Sequence, residues 1–172
     1  MAFRKIKKQF LSRRFQKELQ LAPETKTQNR DEIHTVAILT TQEFYETMKL
    51  PSLIKEYIST VRTVQVYYYK PFKKGEENTF KYFTENNFDR KGAVLDASFQ
   101  NFLDNPFHLL IGFFERKNLY LEFAALKSNA AFKIGFSGVN DKIFDLVIAE
   151  EPKNIDSFLT ECRKYLQILD KL

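Results

Sequence analysis

Residues 107–149 constrain the fold more than any other part of the sequence. A short apolar run, Leu109–Phe114, ends in three charged residues, which is typical of a strand buried on both faces. Residues 118–127 place apolar side chains almost all the way round a helix, which predicts an enclosed helix. Two more apolar runs, Phe132–Phe136 and Phe144–Ala149, are separated by a turn region rich in glycine and serine. A strand, a crossover helix and a return strand predict a right-handed parallel unit.

The remaining apolar patterns extend this unit to a larger sheet. Two runs, His34–Thr40 and Thr63–Tyr69, predict strands. The spacing of apolar residues between them predicts helix, with Pro51 either in the first turn of a second helix or at a kink in one long helix. An N-cap at Asn154 and the helical spacing after it predict a last helix that covers one face of the sheet. We therefore predict one three-layer α/β domain, Rossmann-like, with a mostly parallel sheet of about five strands. Residues 76–104 fit no single pattern.

Composition excludes several classes of protein. With 44% hydrophobic residues the chain has enough apolar material for a core, yet no apolar run approaches the roughly 18 residues that would span a bilayer. The N-terminus lacks the apolar region and the cleavage site of a secretory signal. A single cysteine, Cys162, excludes an intramolecular disulfide and is typical of a reducing compartment, so we expect a cytoplasmic protein.

The positive charge is concentrated at one end of the chain. Residues 1–20 carry seven basic residues against Glu18 alone, a net charge of +6, so the rest of a chain with net charge +5 carries −1. We predict a basic helical arm over residues 1–21, a linker over 22–33 and the α/β domain over 34–172. The basic residues, which we expect to bind an anionic surface, are Arg4, Lys5, Lys7, Lys8, Arg13, Arg14 and Lys17.

The predicted arm has two narrow apolar ridges. At 100° per residue, Phe3, Ile6 and Phe10 lie on one side, and Leu11, Phe15 and Leu19 lie roughly 150° away, with basic residues between them. A helix lying in a bilayer interface needs one apolar and one charged face, and two ridges blur that division. The pattern favours a helix wedged between its own domain and something else. Three interpretations stay open: a solvated helix docked by one ridge, a helix that binds an anionic surface such as RNA or lipid, and a cleaved organelle presequence.

Few residues carry the patterns of catalytic or metal sites. The two histidines, His34 and His108, are not at metal-ligand spacing, and a lone histidine at a strand edge is usually structural, so we predict no metal site and no catalytic residue. Cys162 lies on the apolar side of the last helix and is interpreted as a core residue. No glycine-rich phosphate loop follows the first strand, and no cofactor is predicted.

Ligands of parallel sheets bind at the carboxyl ends of the strands. A site there would involve Thr40, Thr41, Ser137, Gly138 and Glu150, with Glu115, Asn140 and Glu151 as neighbours. The glycines around Ser137 are the nearest substitute for a phosphate loop, although a turn between two strands explains them more simply. Aromatic and basic residues in 67–74 could stack on single-stranded RNA, but no RNA-binding or DNA-binding motif supports that.

Four segments of the second half resemble a known family. They are PFHLLIGFF (106–114), NLYLEFAALKSNAAFKIGF (118–136), FDLVIAEE (144–151) and a closing helix that ends in RKYLQIL. Together with the basic arm they resemble small bacterial proteins classified as a domain of unknown function. The resemblance implies an α/β sandwich with no known activity. Family-like sequences tend to have an acidic residue where this one has His108 or Gly112, which argues against a carboxylate-based site.

Two functional hypotheses follow. The first is a non-catalytic cytoplasmic module whose basic arm binds a macromolecular partner: RNA, a ribonucleoprotein, or an acidic protein or membrane surface. The second is a degenerate nucleotide- or nucleotide-sugar-binding domain with a site near Thr40, Ser137 and Glu150. It draws on a faint similarity of AAFKIGF, which follows a helix, to the acceptor half of bacterial heptosyltransferases, whose sugar-nucleotide half is absent here.

Overall fold

A computed structural model describes residues 2–22, 31–75 and 81–172, with side chains from residue 5 onward. Most of the predicted linker, residues 23–30, lies outside the described residues, and so does the side chain of Arg4.

The core of the described part of the chain is one sheet of six parallel strands. Its strand order is β3-β2-β1-β4-β5-β6, which confirms the predicted α/β class. The neighbours of β1 are β2 and β4, so consecutive strands run outward on both sides of the β1–β4 pair. The strands are β1 (Thr35–Thr41), β2 (Thr63–Tyr69), β3 (Tyr82–Phe83), β4 (Leu109–Phe113), β5 (Phe132–Phe136) and β6 (Leu146–Ile148).

Six α-helices in the described residues accompany the strands. They are α1 (Ala2–Leu21), α2 (Gln42–Thr47), α3 (Leu50–Tyr57), α4 (Ala97–Asp104), α5 (Leu119–Lys127) and α6 (Ile155–Ile168). Pro51 lies in the first turn of α3, as one of the two alternatives predicted. Asn154 is the N-cap of α6, although its side chain caps no amide.

The side chains of each inner strand alternate between two cores. In β1, Ala37 and Leu39 face a core that includes α1, α4 and α5, whereas Val36 and Ile38 face a core that includes α3 and α6. Both sets are fully buried. Two-sided burial explains why the parallel strands are continuous apolar runs.

The sheet differs from the prediction in two details. The sheet has a sixth strand, β3, within the stretch that fits no single pattern, because a two-residue strand is too short to show a period. The segment between β5 and β6 is not a simple turn: the two strands are parallel, and residues 137–145 cross between them with a short 3-10 helix, Asp141–Ile143. Parallel strands cannot be joined by a tight hairpin.

A glycine pair lets an aromatic ring lie on the sheet. Gly112 and Gly135 are partners in the β4–β5 register. A Cβ at either position would lie 2.6 or 2.7 Å from the nearest ring atom of Phe144. The ring therefore occupies the space that two side chains would otherwise fill, and it holds the crossover segment against the sheet.

A buried lysine of β5 caps the C-terminus of α5. Lys133 is 4% exposed, and its Nζ donates hydrogen bonds to the carbonyl oxygens of Ala125 (2.6 Å) and Leu126 (3.2 Å). These carbonyls lie in the last turn of the helix, where they have no partner inside the helix and the negative end of the helix dipole lies. The ammonium group thus satisfies both.

The arm helix packs on the domain by one of its two ridges. Leu11, Phe15 and Leu19 are buried, and the ring of Phe15 meets that of Phe123 of α5 edge-on, with centroids 5.8 Å apart. Residues Leu121–Ala125 of α5 are all buried, which confirms the predicted enclosed helix. Because α5 is apolar on the side away from the sheet, it needs the cover that α1 supplies.

We predict that Phe15→Ala lowers the free energy of unfolding by about 3–5 kcal/mol, because it leaves a cavity among packed rings. The matched control is Phe10→Ala on the same helix, where the ring is 48% exposed and we expect a change below about 1 kcal/mol. Urea unfolding followed by circular dichroism measures both. Equal losses for the two variants would show that α1 is not docked by this ridge.

Candidate functional site

An open cleft of about 730 Å³ lies at the carboxyl ends of the strands. It is lined by α2 and the residues at its two ends, by the segment between β4 and α5, and by residues 151–153 after β6. The first two elements follow β1 and β4, the pair from which consecutive strands run outward in opposite directions. In open α/β sheets this switch point is where the connecting helices diverge and ligands bind. We call this site the carboxyl-edge cleft.

The carboxyl-edge cleft has an apolar lining and charged residues of both signs. Phe114 and Pro152 are buried, whereas Phe44 and Met48 are half-buried. The charged residues are Glu43, Glu115, Arg116, Lys117, Glu151 and Lys153. Two pairs partly neutralise one another: Lys153 Nζ lies 2.5 Å from Glu151 Oε2, and Arg116 Nε lies 3.8 Å from Glu115 Oε1.

The helix ends beside the cleft are already capped. Asn118 Oδ1 accepts hydrogen bonds from the amides of Tyr120 (3.0 Å) and Leu121 (3.2 Å) at the start of α5. Thr41 Oγ1 accepts one from the amide of Phe44 (3.4 Å) at the start of α2. Phosphate-binding loops use free amides of this kind. A phosphate in this cleft would therefore depend on basic side chains.

The structure separates the predicted ligand-binding residues. Thr41 lines the cleft, whereas Thr40 is fully buried and its Oγ1 donates to the carbonyl oxygen of Phe113 (2.8 Å). Ser137 and Gly138 are exposed but do not line the cleft, and Glu150 accepts a hydrogen bond from Ser157 Oγ (2.8 Å). Of these five residues only Thr41 belongs to the cleft.

Sequence reasoning missed several residues of the cleft. Phe44, Met48, Arg116, Lys117 and Lys153 line the cleft but are not among the predicted ligand-binding residues. A local signal existed for the loop after β4, because a charged run at the carboxyl end of a buried strand is a place where ligands bind. No local signal shows that residues 151–153 lie beside it.

The loop next to the cleft is held by a buried carboxyl group. Glu122 of α5 is 5% exposed, and its Oε1 accepts a hydrogen bond from the amide of Asn140 (3.0 Å). Burial raises the pKa of Glu122, while the Asn140 hydrogen bond and the nearby Lys117 oppose the rise. Gly138 of the same loop lies against the carbonyl oxygen of Glu115, where any side chain would collide with it.

A second candidate site is the side of α1 that faces away from the domain. We define the outer face of α1 as Ile6, Phe10, Arg13, Lys17 and Leu21, all exposed. At 100° per residue these five lie within an arc of about 80°, opposite the buried ridge. Arg14 is exposed beside it, whereas Lys5 is exposed farther round the helix and Lys8 is exposed on the side of the buried ridge. Of the residues predicted to bind an anionic surface, Arg13, Arg14 and Lys17 thus lie on or beside the outer face.

Two basic residues of the arm have partners in the protein itself. Arg14 Nε lies 2.7 Å from Glu18 Oε1, and Glu18 Oε2 also lies 3.5 Å from Lys127 Nζ of α5. Lys7 Nζ donates to the carbonyl oxygen of Glu85 (3.0 Å), and burial lowers its pKa. No carboxylate of the described residues pairs with the other basic side chains of α1, which are Lys5, Lys8, Arg13 and Lys17.

The remaining candidates for chemistry lie elsewhere. His108 is at the amino end of β4, away from the cleft, and its Nδ1 lies 2.7 Å from Thr35 Oγ1. Cys162 is fully buried, and burial raises the pKa of its thiol. No group of three or more potential metal ligands occurs in residues 2–22, 31–75 and 81–172. Within the same ranges, no helix is both long enough and apolar enough to cross a bilayer.

Comparison with known proteins identifies a family without an assigned role. The model of a family of unknown function, DUF6913, matches residues 7–169. No curated protein and no solved structure matches the chain. The predicted resemblance to an uncharacterised domain family is confirmed. The fainter similarity to heptosyltransferases stays a prediction.

We predict that Glu122→Gln makes the protein more resistant to urea at pH 8 but not at pH 4. The raised pKa means that the folded state binds a proton more tightly than the unfolded state. The wild type therefore loses stability as the pH rises above 4.5, the ordinary value. The glutamine keeps an acceptor for the Asn140 amide without the cost of a buried charge.

The control for this experiment is Glu43→Gln, which removes an exposed carboxylate. We expect its unfolding midpoint to follow that of the wild type across the pH range. A Glu122→Gln midpoint that lies below the wild type at pH 8 would contradict the prediction.

Proposed function

Because the chain belongs to DUF6913, a family of unknown function, we propose its role from its own structure. The protein is a non-catalytic module that binds an anionic macromolecular surface through the outer face of α1. The observation that carries this proposal is a set of four exposed cations on α1 without a carboxylate partner in the described residues. Arg13 and Lys17 lie on the outer face, opposite the side by which the helix is docked, and Lys5 and Lys8 lie elsewhere on the same helix.

Docking on the domain makes these cations a defined surface. The buried ridge of Leu11, Phe15 and Leu19 fixes the rotation of α1 about its own axis. The directions of the basic side chains are therefore set before any partner arrives, with Arg13 and Lys17 on one exposed side, and the helix does not have to fold on binding. Pre-organisation of this kind lowers the entropic cost of association.

The charge distribution of the whole chain supports the same role. The first 20 residues carry +6, whereas the rest of the chain carries −1. A nearly neutral domain with one cationic side has a field that orients it toward an anionic surface. Such attraction is screened by salt, so the proposed binding is strong at low ionic strength and weak at high ionic strength.

The proposal includes the absence of catalysis and a cytoplasmic location. The only thiol is fully buried, and Nδ1 of His108 is occupied by Thr35. One buried cysteine in a chain of 172 residues agrees with a reducing compartment.

A second candidate function is small-molecule binding in the carboxyl-edge cleft. Its position at the switch point of the sheet, with an apolar lining and charged groups of both signs, is the observation that favours it. A nucleotide or nucleotide sugar would place its phosphates near Arg116, Lys117 and Lys153. The capped helix ends make this candidate the weaker of the two.

For the first function, we predict that Lys5, Lys8, Arg13 and Lys17 changed together to Gln weaken retention on heparin, used as a generic polyanion. Each cation that contacts a polyanion contributes to the salt dependence of binding, so the variant should elute at clearly lower salt. The matched control changes Lys49, Lys55, Arg62 and Arg163, which are exposed outside α1, to Gln. It has the same net charge, and we expect elution near the wild type. Equal shifts for both variants would reduce the proposal to an effect of net charge.

For the second function, we predict that a nucleotide or nucleotide sugar at millimolar concentration raises the melting temperature. A ligand at ten times its Kd stabilises the folded state by about 1.4 kcal/mol. Arg116→Ala combined with Lys117→Ala should remove the shift, whereas Lys49→Ala should not. A full panel of such ligands without stabilisation would contradict this candidate.

A further inference from the structure

We propose that the anionic surface is a lipid bilayer and that α1 lies in its interface, with Ile6 and Phe10 inserted among the lipids and the cations at the headgroups. This inference rests on the proposed function of the outer face of α1 and names the partner of that face. The argument depends on the apolar residues of the outer face, which charge alone does not explain.

The apolar side chains of the outer face are unusually exposed. Ile6 is 46% exposed, Phe10 is 48% exposed and Leu21 is 74% exposed. They account for three of the seven exposed large hydrophobic residues in the described part of the chain, although α1 is a small part of it. Ile6 and Phe10 are four positions apart and therefore adjacent on one side of the helix. An exposed apolar patch surrounded by polar groups marks an interaction surface.

Cations adjoin this patch. Arg13 and Lys17 continue the outer face toward the C-terminus, and Arg14 lies beside it by helical angle. Arginine and lysine side chains reach headgroups while their stems remain among apolar groups. Anionic lipid attracts each basic residue near its surface, and each strengthens binding roughly fivefold.

A bilayer suits both the cationic and the apolar side chains of the outer face, whereas RNA suits chiefly the cationic ones. The phosphates of RNA would pair with the cations, and a base could stack on Phe10. Ile6 and Leu21 would remain in water. In a bilayer interface the same apolar side chains leave water while the cations stay at the anionic headgroups.

The docking of α1 leaves only one of its two apolar ridges exposed. An isolated helix with ridges at Ile6–Phe10 and at Leu11–Leu19 would have no single apolar side to lay on a membrane. In the structure the second ridge is buried in the domain, so only the first remains outside. The domain takes the place of the polar face that an interfacial helix turns toward water.

The absence of tryptophan from the chain permits a direct test of insertion. The full chain carrying Phe10→Trp is mixed with vesicles of phosphatidylcholine alone, or with vesicles that also contain about 30 mol% phosphatidylglycerol. The phosphatidylglycerol gives the vesicles a negative surface. We expect the fluorescence to shift to the blue with anionic vesicles only. The matched control is Ile168→Trp, at a site of α6 that is 66% exposed, and it should not shift.

Vesicle co-sedimentation separates the apolar from the charged contribution. Ile6→Ser combined with Phe10→Ser should lower the vesicle partition coefficient at least tenfold. Retention on heparin should be nearly unchanged. Leu95→Ser combined with Ile168→Ser removes two exposed apolar residues elsewhere and should bind like the wild type. Circular dichroism checks that all variants are folded.

The outcomes distinguish this inference from the proposed function. Retention on heparin without binding to anionic vesicles would overturn the bilayer as partner and keep the cationic surface. If the four-cation variant still bound both heparin and anionic vesicles like the wild type, both the proposed function and this inference would be overturned. Vesicle binding with no blue shift of Phe10→Trp would overturn insertion. Binding to a single-stranded RNA that is tighter than vesicle binding and is weakened by Phe10→Ser would assign the face to nucleic acid instead.

Discussion

A parallel sheet must be covered on both faces, and the rest of this structure depends on that constraint. The strands of the sheet centre bury side chains on both sides, so helices have to pack above and below them. On one side the cover is α5, which is itself apolar nearly all round. Burying the side of α5 that faces away from the sheet requires another helix, and α1 meets that need through Phe15 and its neighbours. The position of the basic arm is thus a consequence of core packing, and its exposed cations follow from that position.

The same packing shapes the carboxyl edge of the sheet. The ring of Phe144 lies on the paired glycines of β4 and β5, which draws the crossover segment onto the sheet. The carboxyl group of Glu122 holds the amide of Asn140 in the same segment. The segments that follow β1 and β4 leave the sheet toward opposite faces, and the cleft is the space between these two segments. It is open and its helix ends are self-capped, so its chemistry resides in side chains rather than backbone amides.

The two candidate sites differ in how far each is prepared for a partner. The cleft places an apolar lining beside charges that already pair with one another, such as Lys153 with Glu151. The outer face of α1 places cations without protein partners beside apolar side chains that remain in water. Unpaired cations next to exposed apolar surface are the stronger indication of a missing partner, because like charges repel one another and exposed apolar side chains are unfavourable in water. This contrast is the reason for placing function at the helix rather than in the cleft.

The sequence by itself determined the local features: the parallel α/β class, the positions of five strands, the enclosed α5 and the basic helix. These follow from periodicity, which depends on neighbours in the chain. Tertiary structure alone decided the strand order, the two-residue strand β3, the buried partners of Lys133 and Glu122, and the convergence of Phe44, Arg116 and Lys153 on one cleft. It also decided which ridge of α1 is hidden, because two ridges of similar character differ only in what they meet after folding. Contacts of this kind leave no local pattern, since the residues that make them lie in different helices, strands and loops.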